Sequence, residues 1–151
     1  MPAMNMFLRV AAISVGLANI YIVGIIGGAP AVPTRIAFSP TLLLTTVLYA
    51  VIAGLVASEI TLRSMRPALQ GDFFLRYIVM VLTVCVGGMI FGSLVPLGTL
   101  FDNSLTITDR LTVTVVGGIV GALFGGVLGA IEGLIIAFPL AAILGLFRNG
   151  D

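Results

Sequence analysis

Four stretches of this chain run without a charged side chain for the length of a membrane-crossing helix: residues 10–34, 36–58, 77–101 and 111–131. A helix rises about 1.5 Å per residue, so roughly 20 apolar residues cross a hydrocarbon core of about 30 Å. A soluble fold cannot accommodate four such runs, because charged residues make up only 9% of the chain against roughly 25% in soluble domains. The pattern predicts an all-α polytopic membrane protein, a four-helix transmembrane bundle forming one domain over residues 1–151. The expected spans are about 10–28, 40–58, 77–100 and 112–131. Beyond them, residues 133–147 form an apolar extension of the last helix, expected to break at Pro139. Whether that extension crosses the membrane, lies at its interface or re-enters is left open by the sequence.

Two features refine these spans. Residues 29–31, Ala-Pro-Ala, resemble a signal-peptide cleavage site, yet the apolar run before them exceeds the 7–15 residues typical of a signal. It is therefore read as a retained span. Gly87, Gly88, Gly92, Pro96 and Gly98 crowd the third run and predict a kink near its far end.

The arginines set an orientation. Arg9, Arg63, Arg66, Arg76 and Arg148 fall on the side of the N-terminus, the 59–76 loop and the C-terminus, while Arg35 and Arg110 fall on the other. Basic residues concentrate in cytoplasmic loops, so both termini are expected in the cytoplasm and the chain in the inner (plasma) membrane. Arg63, Arg66 and Arg76 are candidate lipid-headgroup contacts, since each basic residue near an acidic leaflet adds about 1 kcal/mol. Three arginines fall short of a polybasic cluster, so ordinary topology anchoring is the preferred reading.

Missing residue types narrow the chemistry. The chain has no His, no Lys, no Trp and a single Cys, Cys85. It therefore lacks an imidazole base or haem ligand, a Schiff-base lysine, an internal disulfide and a Cys-ligated metal. No catalytic residue, metal site or cofactor is expected, and the net charge of +1 gives no electrostatic argument for nucleic acid.

One motif stands out. Gly117, Gly121, Gly125, Gly129 and Gly133 recur every fourth residue, and Gly118, Ala122, Gly126 and Ala130 form a second row beside them. On a helix the two rows make a broad strip almost free of side chains. Such strips let a second backbone approach closely, the GxxxG mode of helix association in lipid. The strip is the candidate helix-packing face, but the spacing does not choose between another helix of the chain, a second copy and a foreign subunit.

Glu132 is the lone acid in this region, and helical geometry turns it toward the glycine groove. Ionisable groups within spans are candidates for a functional role. Counting from Arg110, however, places Glu132 near the cytoplasmic interface, where Arg9, Arg63, Arg66 or Arg76 could pair with it. Asn19 is the other polar candidate, at mid-depth in the first span.

The composition thus predicts a non-catalytic structural or assembly protein. Its expected partners are the lipid bilayer and either further copies of itself or a larger membrane complex. The alternative is a small oligomeric transporter or channel for protons, cations or a small solute, using Glu132.

Overall fold

The computed structural model describes residues 2–26, 40–101 and 105–148, with the side chains of residues 2, 19, 21–26, 40–43, 101 and 147–148 left aside. Those residues are helical throughout, apart from short connections: α1 (Pro2–Ile26), α2 (Pro40–Ser64), the single turn α3 (Arg66–Leu69), α4 (Phe73–Leu94) and α5 (Ile107–Arg148). A 3₁₀ segment, Val95–Phe101, continues α4. Among the described residues three helices are long and apolar enough to cross a membrane, over Leu44–Ser64, Phe73–Leu100 and Ile107–Leu146. In α1 the apolar stretch among the described side chains is Ala3–Ala18.

The helix ends follow from local chemistry. Pro40 opens α2 at a position where its missing N–H costs nothing. Asp72 caps α4, its carboxylate accepting from the Leu75 N–H at 2.9 Å. At α5, Thr106 caps the helix. The Asp109 N–H donates to the Thr106 hydroxyl, which in turn donates to the Asp109 carboxylate at 2.6 Å. Arg110 then ties the incoming loop to the helix by donating to the carbonyls of Leu105 and Leu100.

Several expected boundaries move. The first helix starts at Pro2, not near residue 10, and so carries Arg9 within it. The segment expected as a polar 59–76 loop is helical to Ser64 and again from Phe73, leaving a short turn around α3. The kink expected near Pro96 takes the form of a change from α to 3₁₀ winding at Val95. The expected break at Pro139 does not occur, because α5 is one helix of 42 residues with Pro139 inside it. Pro139 leaves the Ile135 carbonyl without its usual donor. In that same turn the Tyr77 hydroxyl donates to the Leu134 carbonyl at 2.9 Å, so packing against α4 holds the helix where local propensity would end it.

The long helices pack antiparallel in chain order, as the contact pairs show. Gly16 of α1 lies by Ala50 of α2 and Ile13 by Gly54; Ala57 of α2 lies by Gly87 of α4. Small residues at a three- or four-residue spacing line these seams, with Ala50, Ala53 and Ala57 buried on α2. A polar contact joins the same pair of helices, the Thr61 and Thr83 hydroxyls standing 2.7 Å apart. Each is also within bonding distance of its own helix, at the Ala57 and Val79 carbonyls. Two hydroxyl protons cannot serve all three contacts at once. The larger core cluster gathers Met4 and Leu8 of α1, Leu69, Val79 and Met80, and Ala137 and Leu144 of α5. The N-terminus of α1, the α3 turn and the end of α5 therefore share one end of the bundle.

Candidate functional site: the glycine seam and two buried charges

The glycine strip of α5 is closed by α4. A Cβ added to Gly92 would fall on the Gly121 carbonyl oxygen, and one added to Gly121 on that of Gly92. Gly88 and Gly125 stand in the same reciprocal relation. Further along, a Cβ on Gly129 would come within 2.7 Å of the Val84 carbonyl, and one on Gly133 within 3.0 Å of that of Val81. At the other end Gly117 faces Pro96 at 3.1 Å. The whole first row thus meets one antiparallel helix, with Gly88 and Gly92 of α4 as its counterparts.

The second row is looser. Gly118 would place a Cβ 3.5 Å from the Ser93 carbonyl, an ordinary contact, and Gly126 would meet only the flexible Met89 side chain. Ala122 is half-buried beside them. Three hydrogen bonds fasten the seam along its length: Tyr77 to Leu134, the Cys85 thiol to the Gly126 carbonyl at 3.3 Å, and Thr99 with Thr114 at 2.8 Å. Close backbone approach explains why the strip is glycine, and a partner of this tightness on both sides explains why it spans five turns.

Glu132 lies on the inner face of α5 between Gly129 and Gly133 and is only 8% exposed. Three of the four arginines expected to meet it at an interface are directed elsewhere. Arg9 and Arg63 both bind Glu59, at 3.0 and 2.9 Å. Arg76 points toward the end of α5, where its Nη1 would lie 2.8 Å from a Cβ at Gly145. Glu59 was not anticipated as a site residue, because it was assigned to a loop; its placement i to i+4 from Arg63 on a helix was the available signal. The Asn19 side chain lies outside the described residues.

The three candidate headgroup arginines differ in environment. Arg63 and Arg66 are exposed, whereas Arg76 is only 9% exposed, and its Nε has no hydrogen-bond partner among the described residues. Arg76 is therefore largely buried, unlike the other two.

Between α1, α2 and α4, capped by Leu140, lies a cavity of about 20 Å³ lined by Ala11, Gly54, Thr83 and Gly87 among others. That is room for about one water molecule, far below the ~300 Å³ of a small-molecule pocket. Among the described residues no group of three or more His, Cys, Asp or Glu is placed to hold a metal ion. No protein-family model, curated protein or solved structure matches this chain.

Proposed function

We propose that this chain is a non-catalytic integral membrane protein, a structural or assembly subunit that crosses the membrane four times with both termini in the cytoplasm. Its docking surface is the outward face of α5, not the glycine strip that the sequence singled out. The observation that carries this reading is the closure of the strip by α4 within the chain, which leaves it unavailable to a partner. The opposite face of α5 is apolar and open from Leu111 through Val120, Val127 and Ile135 to Leu146.

Length supports the assignment. The helix has 42 residues, about 63 Å at 1.5 Å per residue. At a tilt of 40°, the upper end of the usual range, a 30 Å hydrocarbon core covers only about 39 Å of helix. Counted from Arg110, the outward Leu146 lies about 54 Å along the helix, past that length, and a protein partner would cover it.

The test is recovery from native membranes in mild detergent. Ile135→Ser with Leu146→Ser is expected to release whatever co-purifies, or to dissociate an oligomer, while the bundle stays folded. Unchanged recovery with both changes in place would remove the proposal.

The burial of Glu132 favours a second reading, a small oligomeric transporter or channel that uses this carboxylate. On that reading Glu132→Gln abolishes proton- or cation-dependent flux in liposomes and leaves assembly intact. On the first reading it leaves no flux to lose.

A further inference from the structure

We propose that Arg76, which lies where the start of α4 meets the end of α5, binds the phosphate of an anionic phospholipid. A guanidinium does not lose its proton inside a protein, and burying an uncompensated ion costs several kcal/mol. Arg76 is only 9% exposed, yet among the described residues no carboxylate lies within ion-pair reach of it. Asp72, one turn back, is turned to the N–H of Leu75. Glu59 is taken by Arg9 and Arg63. Glu132 stands thirteen residues before Gly145 on α5, about 20 Å along the helix. The carbonyl end of α5 supplies a favourable partial charge, while Nε has no hydrogen-bond partner among the described residues.

The space around the guanidinium is shaped for it. A Cβ at Gly145 would sit 2.8 Å from Nη1 and 3.2 Å from Cζ and Nη2, so the glycine lets the planar group lie against the helix backbone. Nε is sealed off, and an anion would approach the two terminal nitrogens, whose fork matches two phosphate oxygens.

Depth and surroundings select a lipid as the source. From Arg76 to Leu100 the helix covers 24 residues, about 36 Å. That slightly exceeds the ~30 Å hydrocarbon core and brings Arg76 to headgroup level. At the same level Phe73 and Phe138 pack edge to face with centroids 5.2 Å apart, and both rings remain open to the outside along with Phe74. An apolar rim around a sunken cation suits an amphiphile with an anionic head. Arg66, exposed on α3 at this end, adds positive potential.

The experiment uses delipidated full-length protein in detergent, with native mass spectrometry and thermal unfolding. The probes are phosphatidylglycerol, phosphatidylcholine with the same acyl chains, and inorganic phosphate. Wild-type protein is expected to retain phosphatidylglycerol in preference to phosphatidylcholine and to melt higher with it. Arg76→Gln should bind it about tenfold or more weakly, the loss of a charge-assisted hydrogen bond. Gly145→Ala, which crowds the guanidinium without removing it, should weaken binding in the same direction and serves if Arg76→Gln does not fold. Equal retention of the two lipids by wild type would overturn the proposal, as would undiminished phosphatidylglycerol binding in a folded variant. Protection by inorganic phosphate alone, matching that by the lipid, would assign the site to a free oxyanion and overturn the lipid as occupant.

Discussion

Replacing Gly92 by alanine adds one methyl group at the tightest point of the α4–α5 seam. That methyl has nowhere to go, since its position coincides with the Gly121 carbonyl and the backbone on both sides is helical. The helices must separate locally, by on the order of 1 Å, to reach an ordinary contact distance. A gap of that size forfeits a quarter to a half of each atomic contact it opens, and each contact is worth about 0.1–0.2 kcal/mol. Summed along the seam, such losses are about 2 kcal/mol, the middle of the 1–3 kcal/mol range for overpacked interiors. Alanine's better helix propensity returns at most about 1 kcal/mol, so the net destabilisation is about 1–2 kcal/mol. Gly118→Ala is the matched control. Its methyl would lie 3.5 Å from the Ser93 carbonyl, so propensity acts alone and the variant should be neutral or slightly more stable. Unfolding from mixed micelles into sodium dodecyl sulfate, followed by circular dichroism, measures both. The double variant Gly92→Ala with Gly121→Ala should cost less than the sum, because either methyl alone already opens the seam. Equal stability of the Gly92→Ala and Gly118→Ala proteins would refute the reasoning.

Three further outcomes follow from particular contacts. Tyr77→Phe removes the bond to the Leu134 carbonyl and should cost about 0.5–1.5 kcal/mol, with faster amide exchange in the turn before Pro139. Pro139→Ala returns a donor to the Ile135 carbonyl in a helix that is already continuous. It should stabilise by about 1 kcal/mol without changing helical content, and a loss of helicity would contradict the continuity described. A double-mutant cycle of Thr61→Val and Thr83→Val should give a coupling of about 0.6 kcal/mol, the mean for hydrogen bonds between membrane helices. A coupling near zero would mean that the two hydroxyls bond only to their own helices.

Some of this was legible in the sequence because it depends on local patterns. Length, apolarity and the spacing of charges fix helices and their approximate limits, since in lipid each backbone must satisfy its own hydrogen bonds. The four-residue recurrence of Gly117 through Gly133 likewise fixes a close helix contact, whatever the partner.

The tertiary structure decided the rest. These helices are apolar on nearly every side, so no amphipathic stripe tells which face turns inward. That is why the sequence could not say that α4 closes the strip, with Gly88 and Gly92 as its counterparts. Pro139 marks a helix end by propensity, and packing against Tyr77 and its neighbours carries α5 through it. Charge counting placed Glu132 among arginines at an interface. The fold instead gives Arg9 and Arg63 to Glu59, sends Arg76 toward Gly145 and encloses Glu132. Which charges meet depends on residues about fifty or seventy positions apart in the chain, and only the packing of helices brings them into register.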